Sequence, residues 1–167
     1  MKSEVRICMI GAGRVGKNHS NALRHVSAGR VAALVDPVEE TLRQTGDEFG
    51  IDARFTTLSE ALDKADFDAV VITTPTFTHK PLVEEAAAHK KHVFLEKPMA
   101  LNLQECDAIL DAVRRHGVFL QLGFMRRFDP DFVTAAQRIQ AGEIGEPMMI
   151  KSLTHCLLYT SPSPRDS

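Results

Sequence analysis

The 167-residue chain is 44% hydrophobic with a formal net charge of −2, which allows one core of modest size and provides no excess positive charge. Basic residues are not clustered and no segment approaches the roughly 18 apolar residues of a membrane span, so we expect neither a nucleic-acid nor a membrane partner. Seven histidines without metal-ligand spacing predict no metal site. Three separated cysteines indicate a reduced, cytoplasmic protein, with Cys8 and Cys106 as buried free thiols.

Short apolar segments alternate with helical patterns along most of the chain. Strands are predicted at 5–10, 31–35, 53–56, 68–73, 92–95 and 118–122, and helices at 14–27, 38–49, 59–64, 78–90, 102–116 and 129–141. Asn102 is the predicted N-cap of the fifth helix, and Gly117 its predicted end. This alternation predicts an α/β fold, a Rossmann doubly wound parallel sheet that binds its ligand beyond the carboxyl ends of the strands.

The first predicted strand leads directly into a G-x-G-x-x-G motif that opens the first helix. The motif consists of Gly11, Ala12, Gly13, Arg14, Val15 and Gly16. Its first glycine permits a tight turn, its second lets the backbone approach a pyrophosphate, and its third lets the helix pack closely on the strand. Because the N–H groups at a helix N-terminus attract phosphates, the motif predicts a dinucleotide site.

The second predicted strand ends in Asp36, about 20 residues after Gly16. A carboxylate there can accept hydrogen bonds from both ribose hydroxyls of NAD. It would repel the 2′-phosphate of NADP, and the next residue is Pro37 rather than a compensating arginine, so NAD is the predicted cofactor. The alternative is a strand–turn–helix in which Asp36 merely opens the next helix.

Three segments together carry a more specific pattern: GAGRVG at 11–16, VITTPTFTHKPLVEEAAAHKKHVFLEKPMA at 71–100 and LGFMRRFDPDF at 122–132. From residue 4 to about 155 the chain resembles the Gfo/Idh/MocA family of NAD(P)-dependent sugar and polyol dehydrogenases, most closely its inositol 2-dehydrogenases. The resemblance implies an NAD-binding Rossmann domain followed by an α+β substrate domain. It also implies a small polyol or sugar substrate and a homo-oligomer, either a dimer or a tetramer.

The same resemblance implies roles for individual residues. Lys97, in Glu96-Lys97-Pro98, would approach the reacting carbinol and the nicotinamide and organise proton transfer, as an ammonium near an alcohol oxygen can. Further cofactor contacts are implied for residues that follow strands or lie in the crossover to the second domain. They are Thr73, Thr74, Pro75, His79, Glu96, Met125 and Arg126.

Simpler interpretations of these residues remain open. Lys97 could be a solvated surface lysine, and Thr76 or Thr78 could cap a helix. His79 could be structural rather than catalytic. Asp129-Pro130 could begin a helix beside a solvated arginine pair.

The end of the chain departs from the family pattern. We expect a Rossmann domain over 1–122, an incomplete start of the substrate and oligomerisation domain over 123–155, and a non-native or disordered tail over 156–167. No D-x-x-x-H segment, which carries the family's catalytic aspartate and histidine, follows Lys97 at the right distance. The ending CLLYTSPSPRDS resembles an in-frame translated sequencing adapter, which predicts a truncated gene; the alternative is a genuine disordered Ser/Pro-rich tail.

The predicted function is therefore that of a fragment of an NAD-dependent oxidoreductase. The intact parent would transfer a hydride from the CH–OH group of an inositol-like polyol or sugar to NAD. A strand predicted at 147–154 would lack a sheet to join, so we expect this chain to be prone to aggregation. We expect it to be inactive because it lacks the aspartate–histidine pair that the resemblance implies and a domain that excludes water from the hydride path. The alternatives are a stand-alone dinucleotide-binding module, a sugar reductase and an NAD-dependent glycosidase.

Overall fold

The computed structural model describes residues 4–151, which fall into two compact units that divide after Phe124. Strands of the first unit are β1 Val5–Ile10, β2 Gly29–Val35, β3 Arg54–Phe55, β4 Ala69–Ile72, β5 His92–Leu95 and β6 Leu120–Leu122. Its helices are α1 Arg14–Leu23, α2 Glu39–Phe49, α3 Leu58–Lys64, α4 His79–Ala88 and α5 Leu103–His116. A 3-10 turn, Thr76–Thr78, precedes α4.

All strand pairs are parallel, and the strand order is β3-β2-β1-β4-β5-β6. This order confirms the predicted Rossmann sheet. Successive strands β1 to β3 are added toward one side of the sheet and β4 to β6 toward the other. The reversal lies between β1 and β4, and in a doubly wound sheet a ligand crevice opens at that point. The carboxyl ends of β1, β2, β4 and β5 lie along this crevice and lead into the glycine turn, Asp36, the Thr73–Thr74–Pro75 loop and Glu96-Lys97, all predicted to contact the cofactor or substrate.

Residues of the central strand β1 alternate between the two faces of the sheet and so contribute to two core layers. Cys8 and Ile10 pack in the larger layer with Val70, while Met9 packs in the other with Leu34. Each of these five side chains is at most 2% exposed. The buried apolar run from Ile7 to Ile10 accounts for the agreement of β1 with its predicted bounds.

The two cysteines within the described residues differ in burial. Cys8 is fully buried, as predicted, and burial raises the pKa of its thiol to about 12. The prediction for Cys106 is wrong, because this residue is only half-buried. It lies in the first turn of α5, before the helix reaches the core through Ile109 and Ala112.

Helix boundaries follow local capping chemistry. The Asn102 side chain accepts a hydrogen bond from the Glu105 N–H at 2.9 Å, and Gly117 ends α5 with a positive φ of 65°, which confirms both predicted caps. The first helix ends at Leu23 rather than at residue 27. After it, the His25 N–H donates to the Ala22 carbonyl at 3.1 Å, a tighter turn that leads into β2.

The second unit begins at Met125 and is described as far as residue 151. It contains a 3-10 turn, Met125–Arg127, and helix α6, Pro130–Gln140, which buries no residue. Asp129 caps α6 by accepting the Asp131 N–H at 3.0 Å, so the predicted Asp129-Pro130 helix start is confirmed.

The strand predicted at 147–154 is wrong in its described part, because residues 147–151 form no strand. A strand needs a neighbour for pairing, and the second unit has no other strand in its described part. Residues 152–154 and the predicted tail at 156–167 lie outside the described residues. No helix between residues 4 and 151 is long and apolar enough to cross a membrane.

Candidate functional site

The three glycines of the turn have different surroundings: Gly11 and Gly16 are tightly packed, whereas Gly13 borders open space. Gly11 has a positive φ of 99°, and a Cβ there would lie 2.6 Å from the Thr73 Oγ1. A Cβ on Gly16 would overlap the Gly11 carbonyl oxygen, so only glycine lets α1 approach β1 this closely. Gly13 differs, because a Cβ there would meet no atom within 4 Å. Its missing side chain leaves open space where a pyrophosphate would approach.

The N-terminus of α1 lies beside this open space. No side chain of residues 4–151 caps the helix, its first turn contains no acidic residue, and Arg14 and Val15 are exposed. The free backbone N–H groups of a first turn and the positive end of the helix dipole favour phosphate. The arrangement therefore fits the diphosphate of a dinucleotide.

Asp36 links the end of β2 to the glycine turn. Its Oδ2 accepts the Ala12 N–H at 2.8 Å, and its Oδ1 accepts the Val38 N–H at 2.9 Å. The N-cap of α2 is Val38 and not Asp36. Because Asp36 also binds the Ala12 N–H of the glycine turn, it does more than open the next helix. A carboxylate has about four acceptor positions, which leaves capacity for ribose hydroxyls.

The loop after β4 is joined to the same turn. The Thr73 hydroxyl lies 3.0 Å from the Ile10 carbonyl oxygen and 3.1 Å from that of Gly11, one of which it donates to. The Thr78 hydroxyl donates to the Pro75 carbonyl at 2.8 Å and lies 2.6 Å from the Thr74 hydroxyl. Thr78 holds the N-cap position of α4, as the simpler interpretation expects, but its side chain makes no capping hydrogen bond there and instead fixes its own loop.

His79 is 1% exposed and lies between two loops. Its Nε2 is 3.0 Å from the Thr74 carbonyl oxygen, and its Nδ1 is 3.0 Å from that of Pro98 and 3.3 Å from that of Met99. Its contacts with two loops support the structural interpretation considered for it. A direct contact with the cofactor stays a prediction.

Lys97 follows β5, the strand next to β4. It lies on the side of the sheet where the parallel strands end, which we call the carboxyl edge. Its side chain is exposed and makes no ion pair or hydrogen bond with residues 4–151, so its ammonium is available to a ligand. Its backbone N–H donates to Glu96 Oε2 at 3.1 Å, and the Lys97–Pro98 peptide bond is cis. A merely solvated lysine would also be exposed, so the catalytic role stays a prediction.

Sequence analysis missed His19, which is on α1. Its Nε2–H donates to Glu96 Oε1 at 2.8 Å, although the two residues are 77 positions apart. The only local signal was a histidine one helical turn beyond Gly16, on a helix that packs against the sheet.

Met125 and Arg126 belong to the second unit. There the Arg126 guanidinium lies over the Phe132 ring, 4.6 Å from its centroid. Their predicted positions beside a nicotinamide remain predictions. No cluster of three or more metal-ligating side chains occurs in the described part of either unit.

Comparisons with known proteins match this geometry. The model of the family described as "Oxidoreductase family, NAD-binding Rossmann fold" (Gfo/Idh/MocA) matches residues 5–124. The scyllo-inositol 2-dehydrogenase (NAD(+)) of Bacillus subtilis is 39% identical over 155 residues, 92% of this chain and 45% of that protein. The myo-inositol 2-dehydrogenase of Thermotoga maritima is 34% identical over 160 residues, 96% of this chain and 46% of that protein.

Solved structures agree with the sequence matches. The scyllo-inositol dehydrogenase of Lactobacillus casei, solved with bound NAD(H) and scyllo-inositol, superposes with a TM-score of 0.81 at 32% identity. The superposition covers 86% of this chain and 43% of that one, so the chain spans a little less than half the length of these relatives. With its confirmed Rossmann sheet and glycine turn, the chain belongs to the Gfo/Idh/MocA oxidoreductase family.

Proposed function

We propose that the chain is the dinucleotide-binding part of an NAD-dependent dehydrogenase that oxidises a CH–OH group of an inositol-like polyol. The observation that carries the proposal is the open space at Gly13, bordered by the uncapped N-terminus of α1 and by the turn that Asp36 holds. The inositol dehydrogenases among its relatives support the substrate class.

When bound, NAD⁺ supplies the acceptor for the hydride. The backbone of the glycine turn and the first turn of α1 would hold the diphosphate, and Asp36 would accept hydrogen bonds from the ribose hydroxyls. Thr73 keeps the turn in place by its hydroxyl contacts at the ends of β1 and β4. These groups bind and orient, and none of them needs to gain or lose a proton.

Lys97 is the residue to which we assign proton chemistry. As a neutral amine it would take the hydroxyl proton, and the resulting ammonium would stabilise the developing alkoxide while the carbon loses its hydrogen as hydride to give the ketone. Support for a catalytic enzyme over a module that only binds dinucleotide comes from the relatives, which are named dehydrogenases, and the unpaired Lys97 side chain is compatible with the role.

The remaining elements of the proposal concern the whole protein. A small-molecule substrate and a homo-oligomer are proposed on the family resemblance. The absence of a nucleic-acid or membrane partner and a cytoplasmic location are proposed on the net charge of −2 and the free thiols of Cys8 and Cys106.

The proposal is tested in two stages. Calorimetric titration of the 167-residue chain with NAD⁺ should show binding, and a folded chain that binds no NAD⁺ contradicts the proposal. The second stage extends the chain through its own reading frame to the length of its relatives and measures NADH formation. Turnover with myo-inositol or scyllo-inositol supports the substrate class, whereas turnover with another sugar alone replaces it.

A further inference from the structure

The segment that carries Lys97, residues 96–99, connects β5 to the loop before α5. We call it the lysine segment. It is held on both sides of Lys97 by histidines from two different helices, His19 of α1 and His79 of α4. Both helices begin at the carboxyl edge, α1 after the glycine turn and α4 after the Thr73–Thr74–Pro75 loop.

Glu96 is the contact on the N-terminal side of Lys97. One of its carboxylate oxygens accepts the His19 Nε2–H, and the other accepts the Lys97 backbone N–H. The carboxylate therefore bridges α1 and the backbone of the lysine itself. Its side chain is 14% exposed and that of His19 is 29% exposed, so water only partly competes with this bridge.

Two further residues fit this bridge closely. The Phe94 ring meets the His19 ring edge to face, with centroids 5.3 Å apart and an interplanar angle of 66°, which restrains the direction of the Nε2–H. After β6, a Cβ on Gly123 would lie 3.1 Å from Glu96 Oε1, so this glycine leaves room for the carboxylate.

His79 supplies the contact on the C-terminal side. Its ring lies between the carbonyl of Thr74 and the carbonyls of Pro98 and Met99. Carbonyl oxygens only accept hydrogen bonds, so the ring nitrogen that carries a proton donates to one of the two loops. His79 donates to the lysine segment when its proton is on Nδ1, and in either tautomer its ring lies against that segment after Lys97.

We infer that His19 is a positioning residue, which acts through Glu96 to fix the backbone of Lys97 relative to the helix that would bind the cofactor phosphates. The inference rests on the proposed function, in which Lys97 meets the reacting oxygen. Positioning matters because a misplacement of about 1 Å can lower the rate roughly 100-fold. The flexible side chain of Lys97 could not hold its ammonium in place on a mobile backbone.

The test measures amide hydrogen exchange in the 167-residue chain without cofactor. His19→Phe keeps a ring against Phe94 and removes the donor to Glu96. We expect exchange at the Lys97 amide to rise at least roughly tenfold, the effect of losing one hydrogen bond to a charged group. Amides of β1 and β4 should not change. His25→Phe, the matched control at an exposed position in the turn after α1, should change neither region.

A rescue variant separates positioning from general stability. In His19→Gln the amide nitrogen can take the place of Nε2 and donate to Glu96, so exchange at Lys97 should return close to that of the unmodified chain. Unchanged exchange at Lys97 in His19→Phe overturns the inference. So does a rise spread equally over β1 and β4, or a loss of folding, because each assigns His19 to the stability of the whole sheet.

These outcomes do not depend on dinucleotide binding. A chain that shows the local exchange effect but binds no NAD⁺ contradicts the proposed function and leaves the His19–Glu96 contact established. A chain that binds NAD⁺ without the exchange effect contradicts the positioning role alone.

Discussion

Charged side chains are paired differently at the carboxyl edge and at the opposite side of the sheet, where the strands begin, which we call the amino edge. At the amino edge, Arg6 forms ion pairs with Asp66 and Asp68, and the Lys91 ammonium donates to the Phe67 carbonyl at 2.7 Å. These cations are satisfied by groups of the protein itself. At the carboxyl edge, the exposed Lys97 has no such partner among residues 4–151.

The difference indicates what each edge contributes. Charges that compensate each other inside one fold contribute to stability and leave little capacity for a ligand. At the carboxyl edge, the uncapped N-terminus of α1, the open space at Gly13 and the unpaired Lys97 ammonium contribute little to stability. Such features are expected at a functional site, where residues are retained for binding or catalysis. Substitutions at the carboxyl edge should therefore affect binding and catalysis, and those at the amino edge should affect stability.

The largest effect is expected at the glycine turn. Gly13→Val should abolish NAD⁺ binding, because the branched side chain would occupy the space proposed for the pyrophosphate. The melting temperature should hardly change, since a Cβ at this position meets nothing within 4 Å. Calorimetry and thermal denaturation measure the two quantities. Gly16→Val is the contrasting variant and should lose stability, because its side chain would overlap the Gly11 carbonyl.

The second effect concerns Lys97. In the enzyme of full length, Lys97→Ala should lower kcat roughly 10²- to 10⁴-fold, the range of an acid–base group, with a much smaller change in NAD⁺ affinity. Lys91→Ala at the amino edge is the control and should leave kcat unchanged. Near-normal turnover in Lys97→Ala would show that another group organises the proton.

The third effect is cofactor choice. The Asp36 carboxylate should favour NAD⁺ over NADP⁺ by roughly 100-fold, because it repels a 2′-phosphate placed beside it. Asp36→Asn keeps an acceptor for the Ala12 N–H and removes the charge, so the ratio of NAD⁺ affinity to NADP⁺ affinity should decrease. Asp66→Asn, at the opposite edge, should leave the preference as it is. Competition binding with both dinucleotides measures the ratio, and equal affinities in the unmodified chain would contradict the assignment.

Sequence analysis predicted the strand ends well because their signal is local. The apolar segment of β1, the glycines after it and Asp36 after β2 each follow directly from chain order and period. Strand starts were predicted less well: β2 begins two residues before its predicted start and β6 two residues after, while β3 and β4 are one residue shorter at each end. The largest error is the strand predicted at 147–154, which is absent in its described part. That strand depends on neighbours that no local pattern specifies.

Long-range contacts of the site were not accessible to the same reasoning. The His19–Glu96 contact joins residues 77 positions apart, and His79 reaches Pro98 across 19 positions. Resemblance placed Glu96 and His79 near the cofactor without stating what they contact. The structure supplies those contacts and shows that His79 lies inside the protein, so each residue gains a physical partner that periodicity could not provide.

The smallest effect tests the amino edge itself. Hydrogen bonds from Arg6 to Asp68 and Asp66 raise the pKa of its guanidinium, and its backbone N–H also donates to Asp68 Oδ2 at 3.0 Å. Arg6→Met keeps most of the aliphatic length and removes the charge beside Asp68, whose side chain is only 16% exposed. We expect the melting temperature to fall by a few degrees, with NAD⁺ affinity unchanged.

The matched control for Arg6 is Arg30, which pairs with Glu4 at 3.0 Å on the same edge. Both members of that pair are about half exposed, so solvent screens their attraction and Arg30→Met should leave the melting temperature unchanged. If Arg6→Met instead weakened NAD⁺ binding without lowering the melting temperature, it would contradict the assignment of stability to the amino edge and of binding to the carboxyl edge. Equal melting temperatures for Arg6→Met and Arg30→Met would show that the ion pairs of Arg6 contribute no stability beyond that of an exposed pair.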